Sequence, residues 1–483
     1  MNYSESIENM DGGKNKQKFL GEGSYGCAWK PGIDCDGQFN SKKNVVNKIQ
    51  EKNFYSTNEI LVSNNVKKIK NYSLRFSPVE NYCTVKFNKI LNSSIDINKC
   101  QKLFEDYIDY NDENSLFNLD KYLMPNKNHE QFLNDEYYMF YIKFIKGDTI
   151  SAFFKKFTDT PYMFYKIYIY SFYYLLNSIS LLEKNNIVHN DLHTGNIMYQ
   201  INKDRPIIID FGLSFNTKKF YKSGSLTQSL NYGIIKQLLF DFREDSYNHN
   251  IEKRFISFCI YNKYNYYNKN INNDNEKNDL TKQIIQIFID DTLNSIIKNN
   301  EIKFIFSEDE INIYKNFMQT YYYKFLNKER YPYISTIVKE LLPHVFHYND
   351  IYSLSISYIH IYYRRFYNKK EIAQNSPFIF IFNLQAQMFK KIMHPDPSNR
   401  IDSYQFIKIL QFIINYIKNL DINLLSNNDN EYINTFYNTF NQLLTSINID
   451  HNVFYNKNYA FIDFYKLLDK KNISLFKKLN ISY

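Results

Sequence analysis

The sequence predicts a mixed α+β protein, with a small sheet-rich part first and a larger helical part after it. Three observations carry this. Strand-like runs that alternate apolar and polar residues fall before about residue 148. Helical spacing of apolar residues dominates from about residue 160 onward. The chain has 483 residues and is 44% hydrophobic, which is enough for a sizeable core in each part.

Residues 1–17 are polar and read as a disordered lead. "KFLGEGSYGCAWKP" (18–31) and "NVVNKIQ" (44–50) alternate in strand fashion around a turn holding Pro31 and Gly32. "FYSTNEILVSNNVKKI" (54–69) has Ile60, Leu61 and Val66 at helical spacing, with Ser56 or Thr57 near its start. From about 88 to 135 the chain turns polar and Asn/Asp-rich, as an insertion or long loop does. "EYYMFYIKFIKG" (136–147) is a further strand-like run ending at Gly147. The stretch 216–345, with the low-complexity "YNKYNYYNKNINNDNEKND" (261–279), reads as a second insertion. "SYQFIKILQFIINYIKNL" (403–420) is a strong helix. The plan is a sheet-rich lobe over 18–145, a helical lobe over 146–415 and a C-terminal helical extension over 416–483. A cleft between two such lobes is a natural ligand site.

Composition narrows the function classes. A net charge of +9, with acidic residues mixed throughout, describes a solvated surface and no specific nucleic-acid partner. The 45 Tyr and 41 Phe against one Trp accompany heavy use of Asn, Lys and Ile, a pattern of A/T-rich codons. The tyrosines are expected at core and half-buried positions, being apolar rings with a polar tip. Cysteines at 27, 35, 83, 100 and 259 show no C-x-x-C spacing, so neither a disulfide framework nor a zinc site follows. Cys27 and Cys35 flank the first hairpin, yet packing thiols in a reducing compartment are the expectation. The polar lead lacks the apolar segment expected of a signal peptide. "YMFYKIYIYSFYYLLNSISLL" (162–182) comes nearest to the roughly 18 apolar residues that span a bilayer, but its hydroxyls and Lys166 suit a buried helix. An intracellular protein without a membrane span is expected.

Four motifs carry chemistry. "GEGSYG" places Gly21, Gly23 and Gly26 as G-x-G-x-x-G between two strand-like runs, with Glu22, Ser24 and Tyr25 between them. Three glycines in six residues also make a plain hairpin turn, but a second strand follows, which suits a hairpin covering phosphates better than a dinucleotide fold. Lys48 follows on the next strand, placed to reach the phosphates of ATP, with Glu59 on the next helix as the carboxylate to hold it. "IVHNDLHTGNIMYQ" (187–200) holds His189, Asp191 and Asn196 as H-x-D-x-x-x-x-N. "IIIDFGLS" (207–214) puts Asp210 at the end of an apolar strand. Asp191 is suited to accept a hydroxyl proton, while Asn196 and Asp210 offer the oxygen ligands that Mg²⁺ prefers. His189 is suited to brace the loop through ring hydrogen bonds. A zinc reading of His189 and His193 lacks both the spacing and a third convergent ligand.

In this order the motifs resemble the eukaryotic-type protein kinase superfamily, over roughly 18–75 and 137–415. "NDIYSLSISYI" (349–359) resembles the D-x-W/Y-S-x-G segment, with Ser355 in place of the usual Gly, and "HPDPSNRIDSYQF" (394–406) resembles the D-P-x-x-R segment with Arg400. In the family that arginine pairs with a glutamate ending the activation segment. No A-P-E stands here, and Glu252 in "HNIEKRF" is the substitute. The form "GSYGCAWKPGIDC" is similar to serine/threonine kinases of large nucleocytoplasmic DNA viruses, which implies a place in host cytoplasm or virion. The resemblance implies a bilobal kinase-like fold, ATP and Mg²⁺ as cofactors, and protein hydroxyl groups as substrates.

Two departures bear on mechanism. Asn190 replaces the arginine that in the family pairs with a phosphorylated activation loop, and His193 replaces the lysine that contacts the γ-phosphate. An imidazole there is expected to donate to the phosphate and add a pH dependence. Two other functions compete. "HNDLHTGN" resembles the loop of aminoglycoside and choline kinases as closely, though "DIYSLS" and "DPSNR" belong to protein kinases. A non-catalytic scaffold that grips a partner through 216–345 is the other.

Overall fold

The structure, a computed structural model, describes residues 18–23, 26–38, 44–93, 95–100, 103, 133–157, 160–221, 230–239, 249–266, 283, 286–295, 299, 305–326, 334–367, 386, 388–419 and 429–449. It is a mixed α+β chain, with β-sheets toward the N-terminus and a helix-rich region after them. Residues fall into two compact units: 1–153 with 194–215, and 154–193 with 216–483. The expected lead over 1–17 lies outside the described residues, as do Ser24 and Tyr25 and most of 88–135.

In the first unit, β1 (Lys18–Gly23), β2 (Gly26–Lys30), β3 (Val45–Glu51), β5 (Val79–Lys86) and β6 (Glu136–Lys143) form an antiparallel sheet in the order β1-β2-β3-β6-β5. Side chains alternate across it, as the strand period requires. Ile49 joins Cys27, Trp29, Val85 and Met139 in a core on one face. Lys48 and Gln50, one residue to either side of Ile49, therefore point to the other face. The single Trp is buried, with Phe19 edge-on at 5.5 Å. Gly26 is where β2 presses on β3: a Cβ there would collide with the Ile49 carbonyl oxygen. The strand-like run expected to continue to Gly147 stops at Lys143, and Gly147 opens a separate short strand, β7 (Gly147–Thr149).

Helix α1 (Phe54–Val66) starts one residue beyond Asn53, whose backbone is extended. Ser56 N–H donates to Asn53 Oδ1 at 3.1 Å, and Asn53 N–H donates to Ser56 Oγ at 2.9 Å. This reciprocal capping satisfies two orphan donors. Asn53 is thus the cap, and Ser56 closes the box from the third helical position. Ile60 and Val66 are buried as their spacing predicts, while Leu61 is exposed.

The free-thiol expectation is corrected by the structure. Cys27 is joined to Cys100 and Cys35 to Cys83, with Cα–Cα separations of 5.9 and 6.0 Å. Cys27 and Cys35 do not pair with each other: Cys27 faces the core below β2, whereas Cys35 sits beside Tyr141 on β6. Cys259 remains a free thiol, and burial pushes it up to about 12.

The second unit is built around α2 (Pro161–Lys184). After it come β8 (Ile187–Val188), then β9 (Ile197–Gln200) and β10 (Arg205–Ile209), which belong to the first unit. Among the described residues, the second unit also holds the helices α3 (Tyr232–Leu239), α4 (Ile251–Tyr266), α5 (Glu308–Tyr323), α6 (Ile334–Tyr362), α7 (Ser403–Asn419) and α8 (Asp429–Ser446). Tyrosines do fill its core, and those packed between α2 and α6 have bonded hydroxyls. Tyr168 donates to the Tyr358 carbonyl at 2.9 Å, Tyr358 to Ser171 Oγ at 2.7 Å, and Tyr165 to the Tyr362 hydroxyl at 3.1 Å. Buried phenols need such partners. Among the described residues no helix is long and apolar enough to cross a membrane.

At the C-terminal end of α2, Glu183 accepts a hydrogen bond from Ser403 Oγ, the first residue of α7. Glu183 is half-buried, and burial pushes its carboxyl up to about 8. Asp350 and Asp402 add to the rise, Ser403 and Lys184 oppose it. The folded protein therefore holds a proton that the unfolded chain releases near pH 4.5. That contribution is full below pH 4.5 and is lost as pH rises toward 8. Glu183→Gln, which keeps a neutral group at all pH values, is expected to gain roughly 1–3 kcal/mol over the parent at pH 8 and little at pH 5. Melting curves at both pH values measure this, and equal shifts at both would contradict it.

Candidate functional site

The site residues are best described by the unit that carries them. In the first unit a second sheet runs β4-β10-β9-β7, where β4 (Phe76–Ser77) lies parallel to β10 and the other pairs are antiparallel. Ile197 faces Ile208 across the β9–β10 ladder, so Asn196 and Asp210 leave the same end of that hairpin. Asn196 closes a 3₁₀ turn (Thr194–Asn196) and is buried.

Lys48 lies at the centre of the first unit's charges. Its Nζ is 3.2 Å from Asp210 Oδ1, 3.3 Å from Glu59 Oε2 and 3.5 Å from Glu59 Oε1. Burial alone would lower this lysine's pKa, but the two carboxylates more than offset it and hold Lys48 above the ordinary lysine range, so it stays charged. Burial pushes the Glu59 carboxyl up, and Lys48 and Gln50 pull against that. Asp210 has a left-handed backbone (φ 61°), a conformation that costs on the order of 1 kcal/mol for a non-glycine residue. Gly212 donates its N–H to Asp210 Oδ1 at 3.2 Å, and a Cβ on Gly212 would crowd both that oxygen and Glu59 Oε2.

These groups open onto a pocket with largely apolar walls. Leu20, Ala28 and Val46 come from β1–β3, Ile142 and Ile145 from the end of β6 and the turn after it, and Met198 and Ile209 from β9 and β10. Lys48, Ser77, Lys143, Asp148 and Asp210 are its polar members. A pocket with apolar walls and a few converging charges suits a flat aromatic group carrying an anionic tail. Hard oxygens on Asp210 and Asn196 are chemically suited to Mg²⁺. Gly21, Glu22, Gly23 and Gly26 lie on the β1–β2 hairpin above Leu20 and Ala28 in sequence register.

In the second unit the loop after β8 carries Asp191 and His193. The Nε2 of His193 is 3.8 Å from Asp191 Oδ2, and each side chain is about 34% exposed. Asp350 on α6 braces this loop: its carboxylate accepts the N–H of His189 at 2.6 Å and of Asn190 at 2.9 Å. His189 therefore braces the loop through its backbone N–H. Burial pushes the Asp350 carboxyl up, against the pull of His189 and the two N–H groups.

Asn190 has φ 65°, the left-handed region that asparagine tolerates better than most residues. Its Nδ2 donates to the Leu238 carbonyl at 3.2 Å, and Lys253 Nζ donates to the Asn190 carbonyl at 3.4 Å. Asparagine at this position thus has a local account: it relieves backbone strain and ties the loop to α3. Farther along, Arg400 makes a two-pronged pair with Glu252, Nη1 to Oε2 at 2.8 Å and Nη2 to Oε1 at 2.7 Å, with both side chains buried.

Sequence reasoning did not single out Gln50, Asn58 or the loop-bracing role of Asp350. Gln50 Nε2 donates to Glu59 Oε2 at 2.8 Å, and Asn58 Nδ2 donates to the Ser214 carbonyl at 2.6 Å. The available signal for Gln50 was its place two residues from Lys48, on the same strand face. Compared with known proteins, the chain matches no protein-family model and no curated sequence.

Proposed function

We propose that the chain is a phosphotransferase of protein-kinase type, moving the γ-phosphoryl group of Mg-ATP to hydroxyl groups of protein substrates. The observation that carries this reading is Lys48, buried and charged on the wall of an apolar pocket, bonded at once by Glu59 and Asp210. Holding a cation at such a place is accounted for when an anion enters the pocket beside it. In this reading the N-terminal sheet-rich part and the helix-rich part after it are the small and large lobes of a kinase-like fold. Mg-ATP, when bound, supplies the transferable group and the metal charge that neutralises it.

Lys48 binds phosphate oxygens, with Glu59 orienting its ammonium group. Asn196 and Asp210 hold the metal. The hairpin over Gly21–Gly26 covers phosphates with backbone N–H groups, and the apolar walls accept the base and exclude water. Asp191 takes the proton of the attacking hydroxyl, and His193 donates to the phosphate. The Arg400–Glu252 pair and the Asp350 brace favour a protein-kinase type over a small-molecule kinase, because both sit in the segments that resemble protein kinases.

Incubating the purified chain with labelled ATP and a generic basic protein, then with amino-alcohols, tests this. Label is expected on the protein, at a rate reduced at least about 100-fold by Asp210→Ala. Label confined to amino-alcohols, or unchanged transfer by the Asp210 variant, would overturn the proposal.

A further inference from the structure

We propose that Gln50 and Asn58 are positioning residues that lock Glu59, and through it Lys48, into the geometry the site requires. The inference rests on the phosphotransferase reading for its consequence but not for its geometry. Glu59 has two donors in reach, and Gln50 makes the shorter contact: 2.8 Å, against 3.3 and 3.5 Å for Lys48. Lys48 is shared with Asp210 at 3.2 Å, so it is a divided partner. Gln50 is two residues from Lys48 on β3, so both side chains leave the same face of the strand. The amide thus fixes one carboxylate oxygen, and the carboxylate fixes the ammonium group.

Asn58 supplies the second anchor. It precedes Glu59 on α1, is 3% exposed, and donates to the Ser214 carbonyl at 2.6 Å. Ser214 is four residues beyond Asp210. Side chains on α1 therefore bind β3 through Gln50 and the 210–214 segment through Asn58, on either side of the Lys48 contacts. Buried amides left without such partners are destabilising. A plain structural role for both amides is the competing account. It predicts a loss of stability that adds to other losses, with no specific coupling to Glu59.

Three full-chain variants separate these accounts: Gln50→Leu, Asn58→Asp, which keeps the shape but replaces the donor with an acceptor, and Gln50→Leu combined with Glu59→Gln, the last read against Glu59→Gln alone. Two readouts apply, hydrogen exchange over 54–66 and 210–215 without nucleotide, and affinity for a fluorescent ATP analogue. Exchange in these segments is expected to rise about tenfold or more in both single variants, and analogue affinity to fall by a similar factor. In the Glu59→Gln background, Gln50→Leu is expected to add less than about twofold to the loss of affinity. Unchanged exchange in the single variants, or full additivity in the double variant, overturns the proposal. If the parent chain binds no ATP analogue, the phosphotransferase reading fails, while the exchange measurement still decides whether the two amides lock α1.

Discussion

Replacing Asp191 with alanine is expected to lower phosphoryl transfer by about 10²–10⁴-fold, the range for losing a positioned base. Affinity for nucleotide should stay near that of the parent, because the pocket residues Lys48, Asp210 and Met198 all belong to the first unit. Turnover should fall without a matching rise in KM for ATP, the signature of a group that acts in the transition state alone. The scaffold around Asp191 makes the variant interpretable. Asp350 holds the preceding N–H groups, Lys253 and Leu238 hold the carbonyl and Nδ2 of Asn190, and none of these contacts uses the Asp191 side chain. Near-normal turnover would remove Asp191 from the role of base. His193→Lys belongs to the same experiment: an unchanged pH–rate profile between pH 6 and 8 would show that the imidazole adds no pH dependence.

The largest stability effect is expected at Arg400. Arg400→Leu leaves the Glu252 carboxylate buried without its partner, and Glu252→Ala leaves a buried guanidinium, each at a cost of about 3–5 kcal/mol. Arg400 does more than pair: its Nε donates to the His394 carbonyl at 2.5 Å and its Nη2 to the Pro395 carbonyl at 3.2 Å. Its removal therefore also orphans two backbone acceptors, so Arg400→Leu should cost at least as much as Glu252→Ala. Combining Arg400→Leu with Glu252→Ala should recover part of the loss, since no uncompensated buried charge then remains. Denaturant melts that follow the second unit measure all three. A double variant as unstable as the sum of the singles would mean that the two groups are not coupled.

Much of the molecule was legible in local patterns. The strand-like runs over 18–31, 44–50 and 136–147 gave strands, the last only as far as Lys143, because their alternation fits a sheet with one face on a core. Helix α1 was legible from Ile60 and Val66, but Leu61, named with them, is exposed, and the cap is Asn53 in place of the Ser56 or Thr57 near its start. Lys48 and Asp210 were named from motif spacing, and the structure brings them to 3.2 Å across 162 positions of sequence. Glu252 was named only as a substitute for a missing motif, and it is the residue that grips Arg400. The disulfide pairs were not legible, because cysteine connectivity depends on which strands become neighbours. Ser24 and Tyr25 fall outside the described residues.

By itself the sequence determined the kinds of element, their order, and the side chains able to meet a phosphate or a metal, because strand and helix periods and motif spacing are properties of neighbouring residues. Only the tertiary structure decided that Gln50 completes the hold on Glu59, that Asn58 reaches Ser214, that Asp350 supports Asn190, and that 194–215 groups with the N-terminal sheets through β9 and β10. Each of these depends on atoms brought together by packing and strand pairing between distant segments, and an amide on a strand carries no local mark of the carboxylate it will meet.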